Sequence, residues 1–359
     1  MFCFPFVDEK GGIPEGGLWV MKQMSSETHG IDVICYKSYI GFEEEAGREH
    51  MEDIRTLACK DGHELYYRVW LPEPGTEVNA VLHILHGMAE HGKRYARFAS
   101  LLNESGIAVY CQDHRGHGLT ATKNKEPLGF LAKEHGWQVI ADDSYALDEV
   151  IASDFPKVSH FMLGHSMGSF LARTVMVQHP DFFSGVIVMG TGASQGIVGK
   201  IGKKIALSHV RKYGATFKDE QMNKMSFGSY LKRIPDKKTD FDWLSRDPLE
   251  VKKYIDDPLC GFVCTSSFYA DIIDGIAYAN NPKKIMSVPK DLPLLFISGD
   301  CDPVGAYGKG VRKSFELYKD AGISDVGLTL VPGARHEVLN ETDRKQTESF
   351  LLKWMEERV

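Results

Sequence analysis

From about residue 52 onward, short apolar runs alternate with stretches whose apolar residues recur at spacings of three and four. The runs Ala80–Leu85, Ala108–Cys111, Val158–Leu163, Gly185–Met189, Leu294–Ser298 and Gly327–Val331 are short and largely apolar, with the length of buried strands. Before them, Glu52–Pro72 reads as a hairpin, because two alternating runs meet at Lys60-Asp61-Gly62 and Asp-Gly supplies the positive φ of a tight turn. Arg94–Asn103, Trp137–Ser153, Ser166–His179, Tyr307–Asp320 and Arg344–Arg358 carry the helical spacing. Strand and helix in strict alternation predict an α/β protein, a mainly parallel sheet covered on both faces by helices.

The alternation lapses between about Gly192 and Lys290, where helical and irregular sequence holds Trp243, Tyr254, Phe262, Phe268 and Tyr269 without a clear strand. Such a stretch between two core strands predicts an inserted lid. The expected organisation is therefore a core over 51–191 and 291–359, a helical cap over 192–290, and a peripheral extension over 1–50, whose glycine pairs and Glu43-Glu44-Glu45 interrupt any periodicity. Met51 precedes the first convincing strand and is a candidate alternative start.

Composition narrows the function classes. A formal charge of -7 lacks the basic footprint that a nucleic-acid partner requires. The longest uncharged stretch, Phe182–Gly199, is interrupted by five glycines and reads as a buried strand running into a loop. The opening MFCFPFVDEK meets Asp8 and Glu9 too early for a secretory apolar segment, and seven cysteines form no CxxC pair, so reduced thiols in a cytoplasmic protein are expected.

The chemistry concentrates at strand ends. Phe161-Met162-Leu163 runs into Gly164-His165-Ser166-Met167-Gly168 and then a helical pattern. A serine hydroxyl becomes a useful nucleophile when a sharp strand-to-helix turn holds it beside a base, and residues two before and two after must then be side-chain-free. The same turn aims the Met167 amide at the reacting centre. Gly299-Asp300-Cys301-Asp302 follows a late strand and Ala334-Arg335-His336 follows the last, which is the serine, acid, histidine order of a triad in this kind of sheet. His336 is the expected base, and Asp302 is its expected partner because Asp300 abuts the strand end, where it caps the turn. His86-Gly87-Met88, after Ala80–Leu85, offers the Met88 amide as second oxyanion donor, with Gly87 allowing close approach. His86, Glu90 and His91 come near an HxxEH zinc motif but miss its spacing by one residue, and Gly190-Thr191-Gly192 lacks the third glycine of a nucleotide loop, so neither metal nor cofactor is expected. Asp113 and Arg115 of Asp113-His114-Arg115-Gly116-His117-Gly118 are expected to make buried structural contacts.

HGMAEHGKRY at 86–95, DHRGHG at 113–118, GHSMG at 164–168, GDCDPVG at 299–305 and GARHE at 333–337 stand in the order that resembles the monoacylglycerol lipase and lysophospholipase branch of the α/β hydrolases, often grouped with serine aminopeptidases. The resemblance covers roughly residues 52–359. It implies the α/β-hydrolase fold, the triad Ser166, Asp302 and His336, oxyanion donors Met88 and Met167, a helical cap, and hydrolysis of monoacylglycerol, lysophospholipid or similar lipid esters. It also implies Glu90 and Arg94 as substrate-binding residues, while Leu339 stands where these lipases often carry a second histidine. An aminopeptidase or thioesterase uses the same triad, and a catalytically inactive binding protein on the same fold is the alternative of another class.

One further pattern concerns a partner. Between Asp181 and Asp219 there is no acidic residue, while Lys200, Lys203, Lys204, Arg211, Lys212 and Lys218 are basic and Ile197, Ile201 and Ile205 recur every four residues beside Val198. The pattern predicts a helix over Gly196–Tyr213 with an apolar stripe and a basic face. It fits either transient contact with an anionic lipid surface or a cap helix whose stripe packs over the pocket.

Overall fold

The computed structural model describes residues 52–359 and, within a separate unit Met1–Glu49, two short strands, β1 Val20–Met21 and β2 Cys35–Tyr36, paired antiparallel. The expectation for residues 1–50 otherwise lies outside the described residues.

In the unit His50–Val359, eight strands form one sheet: β3 Asp53–Ala58, β4 Glu64–Trp70, β5 Ala80–Leu85, β6 Ile107–Gln112, β7 Ser159–His165, β8 Gly185–Met189, β9 Leu294–Gly299 and β10 Val326–Val331. Their order is β10-β9-β8-β7-β5-β6-β4-β3. Every pairing from β6 to β10 is parallel, and β4 runs antiparallel to both its neighbours. The β3–β4 hairpin turns at Gly62, whose φ of 82° is accessible without strain only to glycine.

The largely apolar character of the central strands has a direct structural cause. Met162, Val186, Val188, Leu294 and Phe296 enter the core on one face of the sheet, while Phe161, Ile187, Met189, Leu295 and Ile297 enter the core on the other. Successive side chains alternate faces, so a strand covered on both is apolar at most positions, and the buried exceptions His83 of β5 and His160 of β7 are paired with Asp148 at 2.7 and 3.2 Å. Helices α3 Gly136–Asp154, α4 Met167–Gln178 and α10 Lys309–Asp320 cover the first face; α1 Ala96–Glu104 and α11 Arg344–Glu356 cover the second. Helix α2, Gly118–Asn124, has no counterpart among the predicted helices, because a two-turn segment is too short to show a periodicity.

Between β8 and β9 run α5 Gly196–Tyr213, α6 Glu220–Phe227, α7 Pro248–Asp256, α8 Ser266–Ala279 and α9 Pro282–Ile285. Helix α8 belongs to the layer beside α3 and α4: Phe268, Tyr269, Ile276 and Ala279 join the same core, and Gly275 lies so close to Trp137 that a Cβ would enter its indole ring. Buried Arg173 of α4 donates to Ala279 O at 2.7 Å and Asn280 Oδ1 at 2.9 Å, capping the end of α8. Helix α5 meets α8 through its small residues, with Gly199 and Gly202 against Ile273. Its stripe is therefore turned outward: Ile197, Val198 and Ile201 are 76%, 75% and 53% exposed, and Ile205 is the member that packs on the core.

Burial of Asp271 on α8, reinforced by neighbouring Asp274, pushes its carboxyl up to about 7. An unfolded aspartate ionises near 3.9, so the folded state holds a proton that the unfolded state releases, and stability falls as pH rises from about 4 to about 7. Asp271→Asn is expected to raise stability above pH 7 by on the order of 2 kcal/mol and to change little at pH 4. Thermal melts of both proteins at the two pH values check this; equal melting at pH 8 contradicts it.

Candidate active site

Strand β7 ends at His165 and α4 begins at Met167, leaving Ser166 to make the turn alone with φ 53° and ψ −116°. A non-glycine residue in that region is strained and persists because its surroundings over-determine it. Ser166 N–H donates to Met189 O at 3.0 Å, and Ser166 O accepts from Ser169 N–H at 2.9 Å. The flanking glycines are sterically required: a Cβ on Gly164 would collide with the carbonyl of Gly168, and one on Gly168 with the carbonyls of Leu85 and His86. Ser166 is the one residue of the segment 161–170 that is not buried.

His336, 1% exposed, follows β10. Its Nδ1 lies 3.0 Å from Asp302 Oδ2. A carboxylate accepts only, so Nδ1 carries the proton and Nε2 is left as the basic nitrogen. Fully buried Asp302 is itself fixed by Ser298 Oγ at 3.0 Å and Val304 N–H at 2.8 Å. Asp300 turns the other way and accepts from Gly333 N–H at 2.7 Å. The imidazole of His336 packs against Trp243 with ring centroids 5.1 Å apart, and Trp243 O accepts from its backbone N–H at 3.4 Å. Trp243 gave no signal in the sequence beyond its bulk. It comes from the least patterned segment, which grips the histidine loop through Ser245 Oγ on Asn340 O at 2.7 Å and Arg246 Nε on Glu341 Oε2 at 2.8 Å.

Met88 and Met167 both line the cavity that contains Ser166 and His336. Met167 is the first residue of α4, where an amide has no partner one turn earlier. Gly87 passes so close to the elbow that a Cβ on it would lie 3.1 Å from Ser166 Cβ. The loop's conformation is set by neutral histidines. His86 Nε2 accepts from His114 N–H at 3.1 Å, so its proton is on Nδ1 and donates to Gly87 O at 2.7 Å. Burial lowers the pKa of both His86 and His114, which keeps them uncharged.

Glu90 and Arg94, expected as substrate-binding side chains, are engaged with protein groups. Glu90 Oε2 accepts from Arg94 Nη1 at 2.7 Å, and Arg94 forks Glu337 at 2.7 and 2.8 Å. Burial opposes ionisation of Glu90, but Arg94 and His165 outweigh it and hold its carboxyl well below the usual range; Glu337 is held low for the same reason. The structural contacts expected of Asp113 and Arg115 are present: Asp113 accepts from Arg68 Nη1 at 2.8 Å, and Arg115 Nε donates to Asp143 at 2.6 Å. His91, Asp257 and Cys260 bring one potential metal ligand each within 4.8 Å of the others. Within that group Asp257 accepts from His91 Nε2 at 2.8 Å and from Leu259 N–H at 2.8 Å.

The cavity encloses about 950 Å³, at the upper end for small-molecule sites. Apolar side chains from the segment between β8 and β9, among them Met222, Phe227, Leu231, Leu244 and Ile273, dominate its wall. A hydroxyl on a strained turn, an imidazole with its basic nitrogen free and an amide at a helix start, in one apolar cavity, are the parts of acyl transfer.

Fold and site together define an α/β hydrolase with a serine elbow. The sequence profile of the family described as serine aminopeptidase, S33 matches residues 76–343, and the chain belongs to that family. It is 28% identical over 302 residues to a monoacylglycerol lipase of Mycolicibacterium smegmatis, covering 84% of this chain and 95% of the relative. It is 27% identical to the monoglyceride lipase of Mus musculus, covering 81% and 89%. Among solved structures it resembles a thermostable carboxyl esterase from Bacillus coagulans in complex with glycerol, with TM-score 0.79, 26% identity and coverage of 86% and 98%.

Proposed function

We propose that the chain is a serine carboxylester hydrolase acting on monoacylglycerols and related single-chain lipid esters through an acyl-enzyme on Ser166. The observation that carries the reading is the large apolar cavity in which Ser166, His336 and Met88 meet. Ser166 Oγ bonds to the ester carbonyl carbon as His336 Nε2 takes its proton, and the Met88 and Met167 amides hold the oxyanion. The tetrahedral adduct breaks its C–O bond to glycerol, which leaves with the proton from His336. Water, deprotonated by the same nitrogen, then releases the fatty acid and restores Ser166. Asp302 keeps His336 in the required tautomer and stabilises the imidazolium.

An aminopeptidase needs a free carboxylate for the substrate ammonium, and here the buried carboxylates of the cavity, Glu90 and Glu337, are matched by Arg94 and His165, leaving Asp240 at the exposed rim. A panel of monoacylglycerols, lysophospholipids, thioesters and aminoacyl anilides tests the reading. Monoacylglycerol is expected to be the best substrate; anilide turnover exceeding ester turnover reverses it.

The basic helix α5 supports contact with an anionic lipid surface, and the lid over 192–290 would present it. Val198 stands at the cavity and is exposed together with Ile197 and Ile201, while Lys200, Lys204, Arg211 and Lys212 are exposed on the same helix. Lys203 is taken by Asp274 at 2.6 Å, and Lys218 donates to the carbonyls of Leu128 and Val263. Among the described residues no helix is long and apolar enough to cross a membrane. The free thiols Cys59, Cys111, Cys260, Cys264 and Cys301 support a reducing, cytoplasmic setting. Replacing the four exposed cations by glutamine is expected to weaken binding to anionic vesicles by roughly a thousandfold at low salt, at about 1 kcal/mol per cation. Sedimentation checks this; wild-type protein that stays in the supernatant at every anionic-lipid content rules it out.

A further inference from the structure

One oxygen of Glu90 lies between the two loops that carry the oxyanion donors. Glu90 Oε1 accepts from Gly87 N–H at 2.6 Å, from His165 Nδ1 at 3.0 Å and from the Tyr95 hydroxyl at 3.1 Å. Gly87 immediately precedes Met88, and His165 stands two residues before Met167. A single buried atom therefore ties the root of each donor to the root of the other.

The charges around that atom are balanced. Both ring nitrogens of His165 face acceptors, Glu90 on Nδ1 and His336 O at 3.4 Å on Nε2, which requires the imidazolium. Glu90 and Glu337 are thus set against Arg94 and His165, two of each sign, and all four side chains are buried or nearly so. Arg94 holds the second oxygen of Glu90 and reaches the residue after His336, so the carboxylate cannot rotate without breaking the ion pair. The other half of the loop's orientation comes from His86 Nδ1–H on Gly87 O, which fixes the Gly87–Met88 peptide plane and hence the direction of the Met88 N–H.

We propose that Glu90 is a positioning residue of the oxyanion hole: its carboxylate, clamped by Arg94, sets the spacing between the Met88 and Met167 amides. The proposal rests on the acyl-transfer reading of the site. It assigns Glu90 to the stabilisation of the tetrahedral adduct and not to the grip on the glycerol group. Glutamine cannot substitute, because if its oxygen keeps the Gly87 and His165 bonds its NH2 faces the Arg94 guanidinium, donor against donor.

The test compares wild type with Glu90→Gln in the full chain, with rates expressed per active site titrated to completion by a fluorophosphonate. Misplacing a catalytic donor by about 1 Å, or losing it, lowers kcat by roughly 10². The expected result is a kcat reduced between roughly tenfold and a hundredfold with KM within about twofold of wild type. The inhibition constant of an alkylboronic acid, whose tetrahedral serine adduct places an oxygen in the hole, should rise by the factor that kcat/KM falls. Affinity for a non-hydrolysable ether analogue of the substrate should stay unchanged. A raised KM with unchanged kcat would make Glu90 a substrate-binding residue and overturn the proposal, as would kcat per titrated site equal to wild type. If Glu90→Gln fails to fold, His165→Phe, which keeps an aromatic ring and removes the donor to Glu90, carries the same expectation and the same contradicting results. Failure of wild type to react with the fluorophosphonate would instead strike the acyl-transfer reading itself.

Discussion

Ser166→Ala lowers kcat by at least about 10⁴-fold while the protein melts within a few degrees of wild type. The two halves of this expectation have separate causes. Alanine removes only Oγ, and the acyl-enzyme cannot form without it. The strain of the turn belongs to the backbone at φ 53°, which alanine shares with serine, and the Ser166 N–H and O keep their bonds to Met189 and Ser169. His336→Ala is a less clean probe. It abolishes activity too, but it leaves buried Asp302 without its imidazole donor and opens a void beside Trp243, so stability falls with it. Retention of a tenth of wild-type activity in Ser166→Ala would remove the assignment.

Asp302→Asn is the second large effect, a loss in kcat of roughly 10³ to 10⁴-fold, against less than about tenfold for Asp300→Asn. An asparagine at 302 can present its NH2 to His336 Nδ1, which then becomes the acceptor and puts the proton on Nε2, the nitrogen that has to receive one. At 300 the amide oxygen can still accept from Gly333 N–H, so the turn survives. The ratio of the two rates at one pH, together with the melting temperatures, separates tautomer control from damage to the loop. The reverse ranking would make Asp300 the triad acid.

The parts of the molecule that were legible in the sequence share a local cause. The β5, β7, β8 and β9 strands could be read because burial on both faces leaves them largely apolar, with His83, His160 and Ser298 as exceptions, and the elbow because the collisions awaiting a Cβ at Gly164 and Gly168 arise within a few residues of Ser166 or at the end of the neighbouring strand. What was not legible depends on pairs distant in the chain. Arg94 and Glu337 are 243 residues apart and Glu90 and His165 are 75, so no spacing rule joins them, and a motif containing Glu90 and Arg94 gives no sign that their charges are matched internally. Trp243 and its contact with His336 lie in a segment that packs through a small cluster with Ile234, Leu244, Tyr254 and Cys260, residues with no common periodicity along the chain. The outward stripe of α5 is a subtler case. Ile197 and Ile201 have the spacing of a buried face, yet Gly199, Gly202 and Ala206 permit the closer approach and take the packed side.

The acyl-enzyme is the claim on which the rest depends, and it can be observed directly. Full-length protein turning over a long-chain monoacylglycerol is quenched in acid within the first turnovers, digested and searched by mass spectrometry for a peptide that has gained the acyl group. The account predicts that group on Ser166, absent from Ser166→Ala and accumulating in His336→Gln only to the extent that acylation still occurs. Steady release of fatty acid with no acylated peptide, or with the acyl group on another residue, would contradict it.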